Sequence, residues 1–207
     1  MSLSESWAGG QIENRSRFLT SIVFVSLVAI LTAACSGGAP QSGTGNRTVV
    51  IETDFGVIKF ELLEDEVPKT AENFRLLAER GFYNGTIFHR VISGFMIQGG
   101  DPNGDGTGGQ TATGAPLPNE INRTSSLYQG GYRRGLVAMA NKGRPETGSS
   151  QFFIMHQTYP LQPNYTIFGR VIDGMDVVDK IASAPNTGSS SNNRPVTPVK
   201  MNRVYVQ

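Results

Sequence analysis

"FHRVISGFMIQGGD", residues Phe88–Asp101, sets one His, one Arg and one Gln among aromatic and aliphatic side chains and closes on a glycine pair. Two strand-like runs cross it, Thr86–Ile92 and Phe95–Gln98. Successive side chains of a strand point to opposite faces, so His89 and Arg90 diverge. His89 then reads as a core or supporting residue. Arg90 is left as a guanidinium between Phe88 and Phe95, where a charge is rarely placed without a partner or a task.

Further out, residues 48–63, "TVVIETDFGVIKFELL", hold two β-rich runs around Asp54-Phe55-Gly56, a hairpin signal. Residues 66–81, "EVPKTAENFRLLAERG", read as a helix with Pro68 near its first turn and Gly81 as a stop. Ala71, Phe74, Leu77 and Ala78 line one face of it. More strand-like runs follow at Leu136–Ala140, Phe152–Met155 and Thr166–Val171. "DGMDVVDKIAS" (173–183) is a second short helix. "VKMNRVYVQ" (199–207) is a last strand with a phase slip between Met201 and Val204. Many strands and two helices imply a mainly β domain, a closed antiparallel barrel with two α-helices as plugs.

The 207-residue chain has a formal net charge of +1, two His and one Cys. No basic stripe marks a nucleic-acid partner, and a lone Cys excludes an internal disulfide. His89 and His156 have no Cys or paired carboxylates at metal-ligand spacing, so neither metal nor cofactor is expected. Between Gly99 and Gly135 the chain is long and Gly-rich. "GDGTGG" there resembles a nucleotide loop, but no helix follows it. "DPNGDG" opens like a calcium loop, yet the twelfth position is Ala112 instead of a Glu. Polar turn chemistry is the better reading.

The N-terminus reads as a separate segment. Arg15 and Arg17 precede an apolar run of 17 residues, Phe18–Ala34, that ends at Cys35. Residues 1–35 read as an export signal whose Ala33-Ala34-Cys35 ending resembles that of bacterial lipoproteins, making Cys35 the lipid attachment site. Thr32 stands where Leu is usual in such signals. A retained single-span anchor and ordinary secretion are the alternatives. Residues 36–46 are a flexible tether, and 47–207 form the folded domain.

"VPKTAENF", "FHRVISGFMIQGGD", "GLVAMANKGRPETGSSQFFI" and "FGRVIDGMDVV" resemble the cyclophilin family of peptidyl-prolyl cis–trans isomerases, in order and with plausible spacing, from about Val49 to Val206. The resemblance implies an eight-stranded antiparallel closed barrel capped by two α-helices, with the active groove on its outer face, and catalytic roles for Arg90 and Gln98. It implies a proline pocket of Phe95, Met96, Phe153 and Leu161, with Ala140, Asn141, Gln151 and Tyr165 completing the substrate groove. It departs in two places. Pro160 stands where cytosolic members carry Trp, and Tyr165 where they carry His. Tight cyclosporin binding in the family leans on that Trp. The implied partners are proline-containing polypeptides, met by a monomer at the cell envelope. One alternative is a non-catalytic chaperone or scaffold holding proline segments on the same fold. Another is a small-ligand barrel, which requires an interior cavity.

Overall fold

The computed structural model describes residues 46–144 and 146–207. The expected signal segment, Cys35 and the expected tether up to residue 45 lie outside the described residues. Eight strands form one antiparallel sheet: β1 Thr48–Thr53, β2 Gly56–Leu62, β3 Arg90–Ile92, β4 Met96–Gly99, β5 Leu136–Met139, β6 Phe152–Met155, β7 Ile167–Asp173 and β8 Met201–Val206. Their order across the sheet is β3-β4-β6-β5-β7-β2-β1-β8.

The expected closure of the barrel is corrected here. β3 and β8 are the terminal strands of a curled sheet and form no ladder with each other. Single bonds span the gap: Ile87 bridges Lys200, and the Phe88 N–H donates to the Val199 carbonyl at 3.0 Å. The expected strand Thr86–Ile92 shrinks accordingly to Arg90–Ile92. Ile87 bridges both Asp101 and Lys200, so its backbone joins two neighbours across a corner instead of following one ladder.

Among the described residues two helices are longer than one turn, α1 Pro68–Glu79 and α3 Met175–Ala182, with a one-turn α2 at Ser126–Gln129 between them. Pro68 occupies the start of α1, where its missing N–H costs no bond. The next donors, Lys69 N–H and Thr70 N–H, go to the two Glu120 carboxylate oxygens at 3.1 and 2.7 Å. A residue 50 positions away thus takes up the helix's unpaired donors. The face Ala71, Phe74, Leu77, Ala78 is buried as its spacing requires, and α1 packs on β7 and β8 while α3 packs on β2, β3 and β4.

The interior is filled. Phe74 sits 4.6–5.5 Å, centroid to centroid, from Tyr83, Phe168, Phe152 and Phe60. Stacked, edge-on and tilted rings fill the space inside the sheet, which counts against the small-ligand barrel. The phase slip in the last strand is a β-bulge. The β1–β8 register shifts between Glu52 and Thr53, opposite Arg203 and Met201, leaving Asn202 outside the ladder. Its side-chain amide donates to Asp54 Oδ1 at 3.0 Å, pinning the β1–β2 turn and holding the Asp54 carboxyl below its ordinary range.

Candidate active site

Sheet register explains how the polar residues of the opening stretch meet. Arg90 on β3 lies directly across from Gln98 on β4, Gln98 from Phe153 on β6, and Phe153 from Ala138 on β5. Directly opposed residues share a face, so a guanidinium, an amide and a phenyl ring stand in one row. Around that row a cleft of about 220 Å³ opens, lined among others by Phe95, Met96, Ala140, Asn141, Leu161 and Tyr165. Gln151 lines an adjoining cleft of about 200 Å³ that shares Gln98 and Asn141 with the first.

The polar side of the cleft is a directed chain of hydrogen bonds. Two carbonyls of the long loop, Gly106 and Gly108, accept from Gln151 Nε2 at 3.0 and 2.7 Å. Gln151 Oε1 then accepts from Gln98 Nε2 at 3.0 Å, and Gln98 Oε1 accepts from Arg90 Nη1 at 3.4 Å. Arg90 Nε is buried and makes no hydrogen bond among the described residues. A guanidinium has five donors, so most of this fork remains unspent. The loop itself folds onto Asp101, whose carboxylate accepts the backbone N–H groups of Asn103, Asp105 and Gly106. "DPNGDG" is therefore a turn closed by its own Asp.

The apolar side is built from rings. Phe153 meets Tyr165 edge-on at 5.4 Å, and Phe95 lies 4.5 Å from Tyr159. Tyr132 positions Tyr165. Its hydroxyl donates to the Tyr165 carbonyl at 2.8 Å and accepts the Tyr165 N–H at 3.0 Å. Burial pushes the Tyr132 phenol up to about 12, keeping it a donor at neutral pH. Asn141 holds the opposite wall, donating from Nδ2 to the Asn164 carbonyl at 2.8 Å.

His89 is buried, as a core or supporting residue would be. His89 was expected to point away from Arg90, but β3 begins only at Arg90 and strand alternation does not reach His89. The ring is 2% exposed and still borders the cleft. Neither ring nitrogen has a hydrogen-bond partner among the described residues. Burial pulls its pKa below the ordinary histidine value, against the opposing pull of the Asp101 carboxylate.

His156 was weighed only as a metal ligand. Among the described residues no group of three His, Cys, Asp or Glu could hold a metal ion. Instead, His156 grips the β3–β4 turn. Phe95 N–H closes that turn on the Ile92 carbonyl at 3.0 Å, with Gly94 at φ +78°, a left-handed position that favours Gly. The outward-facing Gly94 N–H donates to His156 Nδ1 at 2.9 Å, and the His156 backbone N–H donates to the Phe95 carbonyl at 2.9 Å. On the far side of the ring, Nε2 lies 3.3 Å from Asp179, which Arg134 also pairs with at 2.7 Å. No short motif could reveal this clamp, because its members come from four separate segments.

The cleft thus sets apolar rings on one side and an underused guanidinium on the other, on the face of a curled β sheet. The family described as cyclophilin type peptidyl-prolyl cis-trans isomerase/CLD matches residues 48–206. The chain is 48% identical over 163 residues to peptidyl-prolyl cis-trans isomerase CYP18-1 of Arabidopsis thaliana, covering 77% of this chain and 95% of that protein. It is 43% identical over 158 residues to the human peptidyl-prolyl cis-trans isomerase-like 1, covering 76% and 90%. A crystal structure of a Cryptosporidium parvum cyclophilin superposes with TM-score 0.71 at 36% identity, covering 78% of this chain and 98% of that one. A second structure of the Cryptosporidium protein, in the presence of the dipeptide Ala-Pro, gives TM-score 0.70. The chain belongs to the cyclophilin-type peptidyl-prolyl cis-trans isomerases, a family of enzymes.

Proposed function

We propose that this protein catalyses rotation about X–Pro bonds in exported polypeptides, with Arg90 as the catalytic donor. The observation that carries this reading is the Arg90 guanidinium. Among the described residues it makes one long bond, to Gln98, its buried Nε has no partner, and it stands at the edge of an apolar cleft. Amide resonance sets a rotation barrier of ~18–20 kcal/mol, and X–Pro exchange takes tens to hundreds of seconds uncatalysed. Reaching milliseconds needs about 7 kcal/mol, roughly five decades. The reaction breaks no bond, so a nucleophile is not required. A donor aimed at the prolyl nitrogen favours its pyramidal form, in which resonance is already lost. The fork geometry and permanent charge of Arg suit that task. Phe95, Met96, Phe153 and Leu161 take the pyrrolidine ring, and Tyr165 flanks it. Ala140, Asn141 and Gln151 bind the residues before the proline, and Gln98 steadies Arg90. The Ala-Pro dipeptide used with the Cryptosporidium relative is the chemistry expected here.

The cellular setting rests on sequence alone. Ala33-Ala34-Cys35 after an apolar run supports acylation of Cys35, a membrane-tethered domain in the cell envelope, and clients among exported proteins. One acyl chain gives only marginal attachment, so a stable tether needs several.

An isomerase assay on the full chain tests the reading. Acceleration of cis–trans exchange in an Ala-Pro peptide is the expected result. Binding without acceleration would identify a proline-segment scaffold instead. Mass spectrometry of the mature N-terminus tests the anchor. A start at acylated Cys35 supports it, and an unmodified start at Ser36 or beyond replaces it with secretion.

A further inference from the structure

Charge on the groove has one sign. The proline cleft and its neighbour of about 200 Å³ continue into a third of about 250 Å³, which shares Asn141 and Tyr165 with the first. Lining the three are the cationic side chains of Arg90, Lys142, Arg123 and Arg144, and among the described residues no Asp or Glu lines any of them. Nor does any of these four cations form a salt bridge among the described residues, although eight such bridges occur elsewhere. The acids next to them in sequence are placed otherwise. Glu120, beside Asn119 of the third cleft, is committed to the start of α1. Glu146 lines a separate, shallower hollow that Lys142 and Arg144 also reach. A surface of near-neutral total charge normally intersperses its signs. A cleft walled by one sign focuses the field and raises the local concentration of oppositely charged ligand.

We propose that the cleft holding Arg123 and Arg144 is a subsite for a carboxylate side chain, so that the protein prefers proline segments with Asp or Glu close to the proline. The inference rests on the isomerase reading and adds a substrate class to it. An extended chain advances ~3.3–3.6 Å per residue. Because the clefts share Asn141 and Tyr165, the acidic residue falls within about three positions of the proline. Guanidinium groups suit the partner, since each can offer a carboxylate two parallel N–H donors. Both arginines are exposed, so the preference weakens as salt screens it.

A peptide series tests this. Single Glu, Gln or Lys residues are placed from three before to three after the proline in an otherwise Ala sequence. For each, kcat/KM is read by NMR cis–trans exchange on the full chain, and Kd by anisotropy of a labelled copy. The expected result is a Glu-over-Lys ratio of roughly tenfold at one or two positions in 20 mM salt, shrinking severalfold at 0.5 M. Arg123→Glu with Arg144→Glu should bring the ratio to one or below with the melting temperature held. If that double reversal fails to fold, Arg123→Gln with Arg144→Gln should lose the ratio in the same way. A ratio near one at every position overturns the proposal, as does a ratio that the double variants leave intact. Absence of turnover on every peptide, the all-Ala one included, would instead remove the isomerase reading, and the Kd ratio would then decide the charge preference by itself.

Discussion

The two ends of the β3–β4 hairpin are held in different ways. At the open end, Arg90 meets Gln98 at 3.4 Å through flexible side chains, at the head of a relay that reaches the loop carbonyls of Gly106 and Gly108. At the turn end, His156 takes Gly94 N–H at 2.9 Å and gives its own N–H to the Phe95 carbonyl at 2.9 Å, with Asp179 and Arg134 behind the ring. One end is lightly tethered and keeps donors to offer. The other is clamped through backbone and holds a pocket ring in place. A site that must both grip a proline and lend a hydrogen bond to a moving amide needs each kind of support. Rigidity belongs where shape is recognised, and spare donor capacity where charge is redistributed.

The comparison is broken most severely at the open end. Arg90→Ala should lower kcat/KM by roughly two to three decades, the usual cost of one preorganised donor. The far-UV spectrum and melting temperature should stay near wild type, because the groove and not the core loses a group. Arg90→Lys should recover little, since an ammonium lacks the planar fork. A folded Arg90→Ala protein with near wild-type turnover would refute the assignment.

The turn end is sharpened by cyclosporin. Tyr159, 44% exposed, packs on Phe95 there, and Pro160 follows at the position where the resemblance places the Trp usual in animal and plant cytosolic members. A buried aromatic anchor at an interface is typically worth about 2 kcal/mol, so inhibition should be roughly 30-fold weaker than in Trp-bearing members. Pro160→Trp should regain part of it. Titration of both proteins in one isomerase assay decides, and nanomolar inhibition of the unaltered chain counts against the argument.

Removing the clamp should cost less. His156→Leu deletes the acceptor of Gly94 N–H, a loss of about 1 kcal/mol for an exposed turn. KM should rise severalfold with kcat nearly kept, because Phe95 shapes the pocket and Arg90 remains. The Gly94 amide should exchange faster by NMR. His156→Asn, whose Oδ1 can stand in for Nδ1, should restore both, and a fall in kcat alone would mean the clamp serves the other end.

The smallest effect concerns pH. No acid or base enters the rotation, so turnover should be nearly level from about pH 7 to 8. Stability should not be level further down. His89 has its folded pKa depressed by burial, so the unfolded chain binds the proton more readily. Its contribution is full above the unfolded value of about 6.5 and is lost as pH falls through the folded one. Melting temperatures at pH 7 and 5 should show the drop, and His89→Gln should reduce it.

Much of this was legible along the chain. Local signals are carried by near neighbours, so Pro68, the Ala71–Phe74–Leu77–Ala78 face and the slip between Met201 and Val204 each announced an element that exists. The motif around Arg90 and the one from Gly135 to Ile154 hold Arg90, Phe95, Met96, Gln98, Ala140, Asn141, Gln151 and Phe153, which line the two clefts. Only the tertiary structure decided the register that puts Arg90, Gln98 and Phe153 in one row, since a ladder pairs residues far apart in sequence. It alone decided that the sheet curls without closing, because an isolated bridge at Ile87 has no periodic signature. The Glu120 cap on α1, the His156 clamp and the placing of Arg123 and Arg144 beside the proline cleft have the same origin. Each joins segments that meet only after folding, and a linear pattern carries no record of which distant polar groups will face each other.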